Sequence, residues 1–199
     1  MFARSHVAWL AVGLVVFSLA ASAQDEPATE AGTATSSAIS KSDFALPRNM
    51  FVSLKVVREF FPEPIRQQNA AESSAPLGKA LAARTIVYAN KDGSRRVLLA
   101  VSLYANPSES TLAYQEALRK TQLPEFNPIA VSNVGQQVFG IMTQGTETQV
   151  SIYSLDDMLM VTGTLAGYDA TTEDISKLVD LTRKEVTEAR AHVPARRKR

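Results

Sequence analysis

The stretch "SIYSLDDMLMVTG", residues 151–163, has the alternation and the central turn signal of a β-hairpin. Two runs of strand-forming residues flank Asp156 and Asp157, a pair that can occupy a two-residue turn. This turn places Ile152 opposite Val161. One face of the hairpin then carries core-forming side chains, namely Val150, Ile152, Leu159, Val161 and Leu165. Such a face predicts an antiparallel sheet that packs on a hydrophobic core.

The second face of this hairpin is polar at its base and apolar at its tip. The apolar side chains near the turn are Tyr153, Leu155, Met158 and Met160. One explanation is that another segment, such as an N-terminal helix, covers them, because large exposed apolar patches are rare on monomers. The other is that these four residues form a patch that binds a protein partner or a small ligand, since methionine provides an adaptable apolar surface. The sequence leaves both explanations open.

Further strands are predicted on either side of this hairpin. Asp92-Gly93 is a strong two-residue hairpin signal, and it pairs Tyr88 with Val97. Both faces of that upstream hairpin are mostly apolar, which indicates a central position in the sheet. The strand candidates are 84–90, 95–104, 129–133, 137–143, 148–155 and 158–165.

Three helices complete the pattern. An apolar stripe runs through residues 43–61, and Pro62 and Pro64 end it. Asn106 and Pro107 begin the second helix, and the third extends from Thr171 or Thr172 to about Arg190. With residues 66–79 as a loop, the order is α-ββ-α-ββββ-α. The predicted fold is α+β, with a single antiparallel β-sheet of about six strands and about three packed helices. Its predicted core includes Ile86, Leu99, Val101, Leu118, Val161 and Leu178.

The two ends of the chain predict export and a flexible tail. Arg4, a short apolar run over residues 7–20 and the small residues Ala21-Ser22-Ala23 form a signal-peptide pattern over residues 1–23. Residues 24–42 are small and polar and read as a disordered linker. We expect a single domain over residues 43–190, followed by a basic disordered tail at 191–199. The alternative to cleavage is an uncleaved N-terminal anchor.

The chain contains no cysteine, which excludes disulfides and a lipoprotein acylation site. An exported domain without disulfides has to rely on its hydrophobic core. We therefore expect a periplasmic or secreted protein.

The charge distribution argues against nucleic-acid binding. The whole chain has a formal charge of +1, but its last ten residues contain five of its basic side chains, including Arg196 and Arg197. The rest of the mature chain is mildly acidic and has no basic face interleaved with aromatic residues. The tail is either a solvated terminus or a weak contact for anionic surfaces, and the first is the commoner case.

Few chemistries are available to this chain. His192 is the sole histidine after the predicted cleavage point, so neither a zinc site nor a Ser-His pair can be assembled in a pocket. Phosphate-binding and dinucleotide-binding glycine motifs are missing from the sequence. Asp169, Glu173 and Asp174 could supply oxygen ligands for calcium, but these residue types also suit a helix N-terminus. We expect no catalytic residues, no metal and no cofactor.

Three stretches carry a resemblance to a known family. They are "VLLAVSLYANPSESTLAYQEAL" (97–118), "VSNVGQQVFG" (131–140) and "VSIYSLDDMLMVTG" (150–163). They resemble the extracellular sensor domains of actinobacterial receptor kinases and related lipoproteins, which share a PsbP-like fold. Gln136 stands where these domains commonly have aspartate, and Leu155-Asp156-Asp157 stands where their hairpin usually has an Arg-Gly-Asn type of turn. The resemblance covers residues 85–189.

The resemblance implies a ligand-binding or partner-binding module without catalysis. Together with the export signal, it predicts a non-catalytic binding or adaptor domain of the bacterial cell envelope, which contacts an envelope protein or a small ligand through the hairpin tip. The alternative is an envelope hydrolase that uses carboxylates or a Ser/Lys pair in a cleft. A pocket with converging polar groups would favour the hydrolase, and a bare apolar surface would favour the binding domain.

Overall fold

A computed structural model of the chain describes residues 46–69 and 79–193. All of these residues fall within one compact unit. The predicted signal peptide (1–23), the predicted linker (24–42) and the last six residues of the predicted tail lie outside the described residues. Within the described ranges, no helix is both long enough and apolar enough to cross a membrane.

The described part of the chain folds into a seven-stranded antiparallel sheet with helices on both faces, which confirms the predicted fold class. The order of the strands across the sheet is β1-β2-β3-β7-β6-β5-β4. Strands β3, β7 and β6 are central, so their backbone groups are paired on both sides. The strands are β1 Arg66–Asn69, β2 Ala82–Ala89, β3 Arg96–Leu103, β4 Phe126–Ile129, β5 Gln137–Thr143, β6 Gln149–Asp156 and β7 Leu159–Ala166.

The sheet has one strand more than predicted because residues 66–69 are a strand and not part of a loop. Strand β1 pairs with β2 along its whole length, with Arg66 opposite Ala89. Residues 66–68 are exposed, so the strand lacks the apolar alternation that usually identifies strands. The other edge strand, β4, spans Phe126–Ile129, so the predicted strand over residues 129–133 was wrong in its bounds and shares only its first residue with the observed one. The observed strand contains Pro128, which an edge position tolerates.

Strands β6 and β7 form the predicted hairpin, but the turn lies one residue further along the chain. Leu155 pairs with Met160 and Ile152 pairs with Gly163, so Asp157 and Met158 occupy the turn. Asp157 adopts φ 55°, a left-handed conformation that aspartate tolerates better than most residues. Moving the turn by one residue changes the partner across the hairpin by two residues, so that Ile152 faces Gly163 and not Val161. A shift of two residues leaves each side chain on its predicted face. The upstream hairpin has the predicted register, with Tyr88 opposite Val97.

The predicted helix over residues 43–61 is wrong in its extent over residues 46–61, and residues 43–45 lie outside the described part of the chain. The structure instead contains a short 3₁₀ helix, Arg48–Met50, and a helix α1, Leu54–Phe60. Ser53 separates them because its extended backbone and its hydroxyl cap the start of α1. The other two helices lie where predicted, with α2 at Pro107–Lys120 and α3 at Thr172–His192.

The two faces of the sheet bury different clusters. On one face, α3 and residues 46–61 cover the larger cluster, which includes Ile86, Leu99, Val101, Val161 and Leu178, all at most 1% exposed. These five predicted core residues are confirmed. The sixth, Leu118, was wrongly placed in the core, since it is 39% exposed on α2. Helix α2 covers a smaller cluster on the opposite face of the sheet.

Gly163 allows α3 to lie close to the centre of the sheet. It sits in β7 between Ile152 and Leu99 of the neighbouring strands. A Cβ atom at this position would overlap with Oγ1 of Thr182 and lie 3.3 Å from Cδ1 of Leu178. Any larger residue would therefore push α3 away from the sheet.

Candidate functional site

The apolar side chains at the hairpin tip mostly pack beneath α2. Leu155 and Met160 are each 2% exposed. They cluster with inward-facing residues of α2 and with the end of β3, namely Tyr104, Ala113, Tyr114 and Ala117. Helix α2 is positioned for this contact by Asn106, whose side chain accepts the N–H of Glu109 at 3.0 Å. The segment that covers these two residues is α2 and not the N-terminal helix.

The four residues of the predicted patch do not share one surface. Tyr153 is half-buried on the α2 face, and its ring stacks on Phe139 with centroids 4.6 Å apart. Met158 lies in the turn and packs against the larger cluster on the opposite face. Tyr153 and Phe139 are the partly buried apolar residues that pack against the cluster containing Leu155 and Met160. A partner-binding role for the four residues stays a prediction.

An apolar cleft opens beside this aromatic stack, between the C-terminal end of α2 and the strands β4 and β5. Its volume is about 320 Å³. Phe139 belongs both to the cleft wall and to the stack with Tyr153, so one residue connects the cleft to the hairpin-tip region. The lining residues are Leu118, Thr121, Gln122, Pro128, Ile129, Ala130, Val131, Val138, Phe139 and Gly140.

A glycine shapes the floor of this cleft. A Cβ atom on Gly140 would lie 2.6 Å from Cγ1 of Ile129 and 3.1 Å from Cγ1 of Val131. The missing side chain lets Ile129 and Val131 lie across β5 at this point. Aromatic contacts support the other side, where Tyr114 of α2 meets Phe139 edge-on with centroids 5.2 Å apart. The cleft is therefore built from packed side chains of α2, β4 and β5.

The chemistry of the cleft is that of an apolar binding surface. None of its ten lining residues is titratable. Its polar groups are the amide of Gln122 and the hydroxyl of Thr121, and that hydroxyl already donates to the carbonyl of Leu118 at 2.6 Å. Leu118 and, just beyond the helix, Leu123 are 39% and 43% exposed. The cleft can exclude water from an apolar group but offers no acid, base or nucleophile for catalysis.

A polar cluster holds the hairpin tip to α2 and α3. The buried hydroxyl of Ser110 lies within hydrogen-bond distance of the carbonyls of Pro107 and Asp157. The carboxylate of Asp156 accepts two hydrogen bonds from Arg190. Because each of these groups is already paired within the fold, the cluster explains how the tip is positioned and not how a reaction would proceed.

A buried carboxyl group lies on the other side of the sheet. Glu185 of α3 is 0% exposed, and its Oε2 accepts the backbone N–H of Val52 at 2.9 Å. Burial raises the pKa of Glu185 to about 8, with a further contribution from the neighbouring Glu188, and the Val52 hydrogen bond partly opposes this rise. Burial, followed by the charge of Glu185, also raises the pKa of Tyr88. Glu185 is therefore mostly protonated at neutral pH.

The acidic stretch before α3 serves as a helix cap. The hydroxyl of Thr171 accepts the N–H of Asp174 at 3.1 Å, and the carboxylate of Asp174 accepts the N–H of Thr171 at 3.1 Å. Carboxylates at a helix N-terminus also interact favourably with the helix dipole. Across residues 46–69 and 79–193, no group of three or more His, Asp or Glu side chains is arranged to hold a metal ion.

Sequence reasoning missed the cleft and Glu185 for different reasons. The cleft depends on the close approach of α2 to an edge strand, which no local pattern reports. Glu185 did leave a signal, because it lies between Leu181 and Ala189 at four-residue spacing on the buried side of α3. A lone glutamate at such an inward position indicates a buried carboxyl.

The fold and the cleft together define a class of protein, namely an α+β domain with one antiparallel sheet, helices on both faces and an apolar cleft at one edge. No family model matches the chain, and no curated protein matches it.

Two of the solved structures that this chain resembles come from Mycobacterium tuberculosis. The first is the extracellular domain of PknH, with 12% sequence identity, a TM-score of 0.49 and coverage of 68% of this chain and 93% of that chain. The second is LpqN, described as involved in cell envelope biogenesis, with 15% identity, a TM-score of 0.34 and coverage of 62% and 78%. At these scores, neither likeness assigns this chain a family or a function.

Proposed function

We propose that this chain is an exported, non-catalytic binding or adaptor domain of the bacterial cell envelope. Its binding surface is the apolar cleft between α2 and β5, together with the adjoining hairpin-tip residue Tyr153. Its ligand is an apolar group of an envelope protein or of a small molecule. The export part of the proposal rests on the signal-peptide pattern of residues 1–23.

One observation supports the proposal most directly: the cleft is lined by ten residues of which none is titratable. A hydrolytic site requires a nucleophile or a pair of carboxyl groups that converge on the substrate. This cleft instead presents aliphatic and aromatic side chains, which gain free energy when an apolar ligand displaces water from them. An apolar cleft without converging polar groups therefore favours binding over catalysis.

Two leucines of α2 allow a matched test of this surface. Leu118 lines the cleft, whereas Leu112 is 65% exposed and lies outside the cleft lining. In the chain that begins at Gln24, Leu118→Gln should weaken binding of a fluorescent apolar probe at least about fivefold, because it removes roughly 1 kcal/mol of apolar contact. Leu112→Gln makes the same chemical change on the same helix and should leave probe binding unchanged. Both variants should melt near the wild-type temperature.

Capture from the native envelope extends the test to a natural ligand. Wild-type protein and the two variants are purified from envelope extracts, and the bound molecules are identified by mass spectrometry. We expect one species to be retained by the wild type and by Leu112→Gln and to be lost from Leu118→Gln. If all three proteins retain the same species, or if Leu118→Gln binds the probe as well as Leu112→Gln does, the cleft is not the binding surface.

A further inference from the structure

The segment that we call the strap, residues 46–61, closes one side of the domain. It covers the α3 side of the sheet with buried side chains, which are Leu46, Met50, Phe51, Val52, Val57 and Phe61. Its 3₁₀ helix and α1 both contact α3. The strap has no strand in the sheet, so side-chain packing and a few polar contacts hold it in place.

Two buried polar groups clamp the strap at the peptide groups of Val52. Glu185 of α3 accepts the Val52 N–H through Oε2 at 2.9 Å, and the hydroxyl of Tyr88 on β2 donates to the Val52 carbonyl. Both side chains are 0% exposed. The clamp therefore joins the strap to a helix and to the sheet at a single residue.

Among the side chains that the structure describes, the carboxyl group of this clamp has no basic partner. Its Oε1 atom is buried and finds no hydrogen-bond partner within residues 46–69 and 79–193. The charged group that acts on it is Glu188 from α3, which disfavours a negative charge at Glu185. Tyr88 from β2 faces the same residue of the strap and stays neutral, because burial and the charge of Glu185 raise its pKa. The strands that pack against α3 contribute apolar side chains to this face of the sheet.

The charged residues of α1 do not compensate the buried carboxyl either. Lys55, Arg58 and Glu59 are exposed, and Lys184 of α3 pairs with Glu59 at 3.4 Å. The carboxyl group is therefore favoured in its neutral form as long as the strap covers it.

We propose that Glu185 is a proton-dependent latch: its neutral form holds the strap against α3 and β2, and loss of its proton favours release of the strap. The latch is distinct from the cleft, whose lining includes neither Val52, Tyr88 nor Glu185.

The linkage between protonation of Glu185 and opening of the strap determines whether a rise in pH favours opening, and over which pH range it does so. With the strap closed, burial holds the pKa of Glu185 at about 8, whereas exposure to water on opening returns it toward its ordinary value of 4.5. Opening therefore releases a proton between these two values, so the opening constant rises with pH over this range and levels off above it. Between pH 5 and pH 7 the expected increase is roughly tenfold to a hundredfold.

Hydrogen exchange tests the latch at the residue that it holds. The exchange of the Val52 and Val57 amides is measured at pH 5 and pH 7, corrected for intrinsic rates, in the wild type and in Glu185→Gln. Glutamine keeps an acceptor for the Val52 N–H but cannot ionise. We expect the opening constant of both amides to rise at least about tenfold in the wild type and to stay constant in Glu185→Gln. The same pH dependence of the opening constants in the wild type and in Glu185→Gln would overturn the proposal.

Two controls separate the latch from other causes. The amide of Val161, in the centre of β7, should exchange far more slowly than those of the strap. Equal rates would mean that the strap opens only with the whole domain, which would also overturn the latch.

Glu188→Gln removes the neighbouring charge that raises the pKa of Glu185. This variant should therefore show a smaller pH effect than the wild type, and it keeps the test decisive if Glu185→Gln does not fold.

Discussion

Arg190 and Asp156 form an ion pair that ties the last turn of α3 to the end of β6. Nε of Arg190 donates to Oδ2 of Asp156 at 2.6 Å, and Nη2 donates to Oδ1. The carboxylate side of the pair is 3% exposed, whereas the arginine side chain is 64% exposed. The pair raises the pKa of Arg190, chiefly through the hydrogen bond to Asp156. Arg190 thus provides the charge that compensates a buried carboxylate.

Arg190→Ala should destabilise the domain more than the loss of an ordinary surface ion pair would. The substitution leaves the Asp156 carboxylate buried and without its basic partner, which we expect to cost about 1–3 kcal/mol of the free energy of unfolding. Lys177→Ala is the matched control, because Lys177 pairs with Glu173 on the exposed side of the same helix. Denaturant melts of both variants at pH 7 measure the difference. Equal losses would show that the Arg190–Asp156 pair contributes no more than a solvent-exposed pair.

Gly163→Ala should destabilise the domain by about 1–3 kcal/mol, because the new methyl group overlaps with the hydroxyl of Thr182. Thr182→Ala removes the overlapping oxygen. A double-mutant cycle should therefore show that Gly163→Ala costs less in the Thr182→Ala background than in the wild type. If the cost is the same in both backgrounds, Thr182 is not the group that requires glycine at position 163.

Residue alternation predicted the faces of the sheet well, because alternation is insensitive to the position of the turn. The turn of the β6–β7 hairpin is displaced by one residue, yet Ile152 and Tyr153 lie on the faces expected for them. Strand β1 could not be predicted, since its polar residues gain stability from pairing with β2 and not from burial. The N-terminal stripe was misread as one long helix, although Ser53 is well suited to begin a new one.

The cleft and the buried carboxyl group depend on tertiary contacts. Phe139 reaches both the cleft and Tyr153 because β5 pairs with β6 and α2 crosses them, and this crossing has no local signature. The position of Glu185 on the inner side of α3 was readable from spacing. Its hydrogen bond to Val52 was not, since the two residues lie 133 positions apart.

The stability of the wild type should fall as the pH rises from about 5 to 8. Glu185 has a pKa of about 8 in the folded chain and an ordinary value of 4.5 when exposed, so the folded state retains a proton that the unfolded state releases. The contribution of Glu185 to stability is therefore fully present below the lower value and is lost progressively up to the higher one, by at most about 1.4 kcal/mol per pH unit.

Glu185→Gln isolates this contribution. Relative to the wild type, the variant should gain stability with rising pH, by about 2–3 kcal/mol between pH 5 and pH 7 in denaturant melts. Other titrating groups affect both proteins alike, so the difference between the two curves reports Glu185 alone. A constant difference across this pH range would show that the carboxyl group is already ionised in the folded chain.

Met160→Asp should destabilise the domain by about 3–5 kcal/mol, because it places an unpaired charge beneath α2. Met160 is 2% exposed and pairs across the hairpin with Leu155, which is equally buried. Its packing partners in the smaller cluster include Tyr104 and Tyr114. An aspartate there would have to stay ionised without a basic partner, take up a proton or displace α2. Each of these outcomes lowers the free energy of unfolding measured by denaturant melts.

Leu112→Asp is the control that distinguishes burial from a general effect of added charge. Leu112 lies on α2 itself but is 65% exposed, so its aspartate variant should melt close to the wild type. A Met160→Asp protein that is as stable as this control would show that α2 does not cover the hairpin tip in solution. If that protein also lost a partner captured by the wild type, the tip would be an exposed docking surface. Unchanged stability together with unchanged binding would contradict both explanations and make Met160 an ordinary surface residue.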